Sequence, residues 1–209
     1  NVELVLDYDT DASGNAPGCY VELVNGAKDE IQATANSIVI NDGFQVLPSL
    51  TNNIIIDFDI RKAITTNGSG DFELVTMGEL SNSIRVVNQE LSGEISGIVT
   101  DTQNSSERII VYAYEVGTFD ASVETQGQGA SNIMFANAVT SATVNEFSGS
   151  YELNFLKNGN YELHFVSYND TDNDGEFEFN AMLDVESASG VDLGNINISS
   201  ETNVDIAVT

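Results

Sequence analysis

Hydrophobic and polar residues alternate with a period of two through most of this chain, and that period predicts strands. In Asn53-Ile54-Ile55-Ile56-Asp57-Phe58-Asp59-Ile60 it places Ile54, Ile56, Phe58 and Ile60 on one face of an extended segment. Tyr151-Glu152-Leu153-Asn154-Phe155 and Tyr161-Glu162-Leu163-His164-Phe165 alternate strictly, and Leu156-Lys157-Asn158-Gly159-Asn160 between them is a turn cluster. The pair predicts a hairpin. Arg108-Ile109-Ile110-Val111-Tyr112-Ala113-Tyr114 is apolar on both faces, as a central strand is. Asn1-Val2-Glu3-Leu4-Val5-Leu6, Cys19-Tyr20-Val21-Glu22-Leu23 and Val204-Asp205-Ile206-Ala207-Val208 also read as strands. A helical turn fits only around Arg61-Lys62-Ala63-Ile64, before Thr65, Thr66, Asn67 and Gly68 end it.

Many short strands joined by Gly, Asn, Asp and Ser turns predict an all-β protein of two tandem β-sandwich-like domains. The polar run Asn88-Gln89-Glu90-Leu91-Ser92-Gly93 marks the boundary, giving domains 1–91 and 92–209. The stretch 124–132, rich in Gly, Gln and Ser, reads as a mobile loop.

Two resemblances sharpen this expectation. Ile54-Ile55-Ile56-Asp57-Phe58-Asp59-Ile60-Arg61-Lys62-Ala63-Ile64, Gly70-Asp71-Phe72-Glu73-Leu74 and Ile84-Arg85-Val86-Val87 resemble the closing part of an uncharacterised bacterial cell-envelope lipoprotein family. The family's opening strands and lipid-bearing cysteine have no counterpart here. Gly93-Glu94-Ile95-Ser96-Gly97-Ile98-Val99-Thr100-Asp101, Ile110-Val111-Tyr112-Ala113-Tyr114, Gly149-Ser150-Tyr151-Glu152-Leu153 and Leu156-Lys157-Asn158-Gly159-Asn160-Tyr161-Glu162-Leu163 are similar to the transthyretin-like, or carboxypeptidase-regulatory-like, sandwich. The resemblance implies an accessory module that spaces, stabilises or presents other domains. It speaks to fold far more than to function.

Charge narrows the partners. The chain carries 33 acidic residues against 6 basic, a net charge of −27. Such a surface repels phosphate backbones and anionic lipids, which argues against nucleic-acid binding, and it attracts divalent cations. No run of about 18 apolar residues offers a membrane span. The chain opens directly on a strand without a leader, which reads as a processed or trimmed chain and is no argument for the cytoplasm.

The candidate chemistry centres on Asn169-Asp170-Thr171-Asp172-Asn173-Asp174-Gly175-Glu176. Three carboxylates on alternate residues followed by glycine have the D-x-D-x-D-G spacing of a calcium loop. Asp170, Asp172 and Asp174 are the expected side-chain ligands. Glu176 stands where a backbone carbonyl is usual, and Glu178 where a direct or water-mediated ligand lies. A helix-loop-helix site needs glutamate at the twelfth position, and that residue is Ala181. Asp184 or an acid from a neighbouring loop remains to complete the shell. A flexible cage of protein oxygens suits calcium better than magnesium. The competing reading is a solvated acidic hairpin that binds nothing.

Other candidates are weaker. Asp7-Tyr8-Asp9-Thr10-Asp11 repeats the spacing, but Ala12 replaces the glycine, and a charged strand end is the plainer reading. Asp57, Asp59 and Arg61 share the polar face of one strand, where a charge ladder closed by Arg61 or Arg85 outweighs acid–base catalysis. His164, the sole histidine, lies on the polar face of its strand, and Cys19, the sole cysteine, reads as an inert buried thiol. Neither a G-x-S-x-G elbow nor a phosphate-binding glycine loop is present, so the chain is expected not to be an enzyme. Sugar recognition is the alternative class. The chain has no Trp, and Tyr8, Tyr20 and Tyr168 are the aromatics least clearly buried by pattern.

The sequence therefore predicts a non-catalytic, calcium-stabilised module with a structural or adhesive role. Its partner would be a protein or glycan at a bacterial surface. Its place would be periplasmic, outer-membrane-anchored or secreted, with a carbohydrate-binding accessory module as the alternative.

Overall fold

The structure is a computed structural model that describes residues 2–23, 25–32, 34–40, 43–48, 51–101, 106–157, 159–173, 175–183, 196–197 and 203–208. Among the described residues strands hold 45% and helices 9%, so the protein is all-β. Among the described residues no helix is long and apolar enough to cross a membrane. The chain divides into two compact units, one of Asn1–Pro48, Ile54–Val86 and Ser122–Ala136, the other of Ser49–Asn53, Val87–Ala121 and Asn137–Thr209.

The first unit is assembled from two-stranded ribbons. β1 (Val2–Val5) pairs antiparallel with β4 (Ser37–Ile40), and β2 (Tyr20–Glu22) with β3 (Lys28–Glu30). β5 (Ile54–Phe58) pairs with β8 (Ile84–Asn88), and β6 (Ile64–Thr66) with β7 (Phe72–Leu74). The helical turn expected at Arg61 to Ile64 is α1 (Ile60–Ala63). The strand before it is shorter than its alternation predicts: β5 ends at Phe58, Asp59 becomes the residue before the helix, and Ile60 is 63% exposed. The core gathers Ile38, Ile40, Ala63, Val75, Leu80, Ile84 and Val86, with Leu4, Phe58 and Ile133 packed against it.

Beneath α1 lies a buried ion pair. Lys62 and Asp59 are both nearly inaccessible, with Nζ 4.0 Å from the carboxylate and donating to the carbonyl of Asn82 at 3.2 Å. Burial lowers the Lys62 pKa, against the smaller upward pull of Asp59.

The stretch 124–132 is a run of turns, as expected of a loop, but its backbone is tied down. It follows a helical turn, α3 (Ala121–Glu124), after α2 (Met77–Leu80) in chain order, and Glu124 is 2% exposed. The backbones of Gln128 and Ile133 exchange hydrogen bonds at 2.9 and 3.0 Å, and Phe135 N–H donates to the Glu124 carbonyl. The signal missed is Phe135, fully buried just beyond the polar tract. One carboxylate holds this segment. Glu79 forms a capping box with Thr76 at the start of α2, and it also accepts Ser131 N–H at 3.0 Å and Ser131 Oγ–H at 2.7 Å.

In the second unit one sheet runs β11 (Thr140–Thr143), β10 (Arg108–Glu115), β13 (Asn160–Asn169), β14 (Glu178–Met182), with β15 (Ile196–Asn197) also on β13. A second runs β12 (Ser150–Lys157), β9 (Ser92–Asp101), β16 (Asn203–Val208), and β16 lies parallel to β9. β10 is the interior strand that its two apolar faces predict. β12 and β13 follow one another as expected but join different sheets, so they are not a paired hairpin. β12 carries a bulge between Leu153 and Leu156, with Phe155 at φ +56°. One core draws on both sheets: Ile95, Val99, Tyr151, Leu153 and Leu156 from one, Ile109, Val111, Ala113, Tyr161, Leu163 and Phe165 from the other.

The Glu79 clamp makes a prediction about acid. Hydrogen bonds from the Thr76 hydroxyl first, then from Ser131, lower the Glu79 pKa from 4.5 to about 2. The charged form is favoured in the fold, so its contribution is complete above pH 4.5 and is lost as pH falls towards about 2. In urea titrations at neutral pH and at pH about 3, Glu79→Gln is expected to lose less stability on acidification than the parent protein. Thr76→Ala is expected to cost about 1 kcal/mol at neutral pH.

Candidate metal site

β13 and β14 are antiparallel neighbours, with Tyr168 opposite Phe179 and Asn169 opposite Glu178. The acidic segment is the connection between them. Ala181, at the twelfth position, lies opposite Ser167 in β14, so the loop returns into a sheet rather than into a helix. The turn needs left-handed backbone at two positions, Asn173 at φ +62° and Gly175 at φ +93°, and glycine supplies the second without strain.

The loop is drawn inward by its own carboxylates. Asp170 Oδ2 accepts Gly175 N–H at 3.0 Å. Glu178 Oε2 accepts Thr171 N–H at 3.0 Å and Thr171 Oγ–H at 2.8 Å. These bonds, backbone first, lower the Glu178 pKa. Arg108 lies over the Phe177 ring at 3.8 Å and supports the loop's outgoing limb.

Three of the five expected ligands converge. One carboxylate oxygen from each of Asp170, Asp172 and Glu178 falls within 4.8 Å of the others. Oxygens bound to one calcium ion lie up to about 5 Å apart, twice the bond length, so the three oxygens fit a shared ion. Asp170 is half-buried, and Asp172 and Glu178 are exposed. The Glu176 carboxylate is exposed and stands outside the converging group, its expected contribution being the backbone carbonyl. Asp174 and Asp184 lie outside the described residues. Among the described residues no other set of three His, Cys, Asp or Glu side chains converges this way.

Sequence reading missed Glu107. Its Oε2 accepts Asp170 N–H at 2.8 Å, and its own N–H donates to Asn169 Oδ1 at 2.9 Å. It brings a fourth acid to the loop from the bend just before β10, where its carboxylate holds the Asp170 backbone and stands outside the three converging oxygens. No local pattern marks it. Only the β10–β13 register, with Arg108 opposite Tyr168, brings it there.

The remaining candidates resolve into structure. Asp7 Oδ1 accepts Asp9 N–H, and Asp11 Oδ1 accepts Ser13 and Asn15 N–H at 2.8 and 2.9 Å. Asp11 also pairs with Lys28 at 2.5 Å, and that hydrogen bond leads the causes that lower its pKa to about 2. The N-terminal repeat is thus a charged turn. Asp57 pairs with Arg85, whereas Asp59 and Arg61 leave the strand for the helix, so the three do not share one strand face. Cys19 is half-buried, its Sγ 3.2 Å from the Asp7 carbonyl, and burial raises its pKa.

His164 faces away from Tyr161, Leu163 and Phe165 as expected, with Nε2 3.8 Å from the Glu162 carboxylate, but aromatic rings cover it. Its ring stacks on Phe119 at 3.6 Å and meets Tyr114 edge-on at 5.5 Å. Burial lowers its pKa, against the upward pull of Glu162. Tyr168 is 8% exposed, and its hydroxyl lies 2.8 Å from that of Tyr112. It is core rather than an exposed platform. Tyr8 donates to the Ala35 carbonyl at 2.8 Å, and Tyr20 lies under Lys28 at 3.9 Å.

No protein-family model, curated protein or solved structure matches the chain.

Burial of Tyr168 gives a direct expectation. Tyr168→Ala is expected to destabilise the fold by about 3–5 kcal/mol, as removal of a buried ring does. Tyr168→Phe, which loses only the hydroxyl contact, is expected to cost about 1 kcal/mol in the same denaturant titration.

Proposed function

We propose that the chain is a non-catalytic module of a bacterial envelope or secreted protein, stiffened by calcium and serving a structural or adhesive role. The convergence of Asp170, Asp172 and Glu178 oxygens within 4.8 Å carries this reading. Three like charges that close repel one another, and a hard dication among them turns the repulsion into a bond. Glu107 and the loop's backbone N–H groups preorganise the cage, so the ion meets ligands already oriented. Asp174 and the Glu176 carbonyl complete the set that the spacing describes, and the net charge of −27 draws cations towards it.

The same reading takes the second unit as a transthyretin-like sandwich and the first as the lipoprotein-like domain. The core shared by the two sheets of the second unit supports the former. A module of this kind holds its loop in one shape when the ion binds and presents it to a protein or glycan at the cell surface.

The experiment is a thermal melt with calcium and with chelator. Calcium at a hundredfold excess over its dissociation constant is expected to stabilise the fold by about 2.7 kcal/mol. Asp172→Ala is expected to abolish that shift while leaving the chelated protein's melting temperature close to the parent's. Equal melting temperatures with and without calcium would sink the proposal.

A further inference from the structure

The first unit contains a cleft of roughly 510 Å³, within the range of small-molecule sites. Three pieces of chain wall it: Thr34 and Ala35, the β6–β7 hairpin with the start of α2, and the tip of the 122–136 segment at Ala130–Asn132. We propose that this cleft binds a neutral, hydroxyl-rich ligand of the saccharide class. The proposal is independent of the calcium loop.

The lining argues for that chemistry. Thr34, Thr65, Thr66, Asn67, Ser131 and Asn132 supply hydroxyls and amides, groups that match the alternating donors and acceptors of a sugar ring. Ala130, Leu74 and Met77 supply apolar surface for its C–H face. Among the described residues neither Lys nor Arg lines the cleft, and Glu73 does, so an anionic ligand meets repulsion and no counter-charge there.

The cleft is also built rather than left over. Asn67 Oδ1 accepts Ser69 and Asp71 N–H at 2.8 and 3.1 Å and fixes the hairpin turn. Glu79 fixes the opposite wall through Ser131. That wall approaches so closely that a Cβ on Gly129, itself at φ +70°, would stand 2.0 Å from Glu79 Oε1. Ser131 gives its hydroxyl proton to Glu79, so towards a ligand its oxygen acts as an acceptor. Without an aromatic platform the affinity is expected in the millimolar range.

Saturation-transfer NMR on the whole chain tests this with glucose, galactose, mannose, N-acetylglucosamine and maltose, and with glucuronate as the charged counterpart. At least one neutral sugar at about 10 mM is expected to give a signal, and glucuronate none. Ala130→Trp, which fills the cleft, is expected to remove the signal. Thr66→Glu, an exposed substitution that keeps the fold should the Trp variant fail to fold, is expected to weaken binding at least about tenfold, equivalent to about 1.4 kcal/mol. Chelator and Asp172→Ala are expected to leave binding intact. Silence from every neutral sugar, a signal that survives both cleft variants, or binding lost on chelation would overturn the assignment.

Discussion

Eight residue pairs between β10 and β13, from Arg108 opposite Tyr168 to Glu115 opposite Tyr161, fix most of what the second unit does. This ladder points Val111, Ala113, Leu163 and Phe165 into the shared core. It points Tyr112, Tyr114 and His164 to the other face, where aromatic contacts absorb them. It also sets Glu107 beside Asp170, 63 residues away. A slip of one residue would exchange the two faces and remove the fourth acid from the loop.

An excess of 33 acids over 6 bases leaves too few cations for pairing, and the fold answers with backbone N–H groups. Asp7, Asp11, Glu79, Asp170 and Glu178 each accept at least one main-chain hydrogen bond. Such charge-assisted bonds order turns that no apolar contact reaches. The acidic loop follows this general solution and then goes further, because three of its carboxylates also face one another.

Much of the fold was legible because it rests on local rules. The double-sided apolar run at 109–114 became the interior strand, and the helical turn at α1 fell where propensity placed it. The D-x-D-x-D-G spacing located the candidate site, since a turn with carboxylates on alternate residues needs only neighbouring chain. What escaped was non-local. Ile60 continues the alternation of β5, yet α1 begins there and leaves it exposed. The 124–132 tract has loop composition, but Phe135 and the Glu79 clamp tie it down. His164 and Tyr168 appeared polar or exposed by period alone, and partners from β10 and from Phe119 enclose them. Glu107 carries no signal at all until the strands are in register.

The parallel pairing of β16 with β9 has a mechanical corollary. Its register runs from Asn203 opposite Ser96 to Val208 opposite Asp101, six pairs in one direction. A pull entering at Ser92 and leaving at Val208 acts along the strands in opposite senses. The ladder then shears as a block, with its hydrogen bonds sharing the load instead of unzipping in turn.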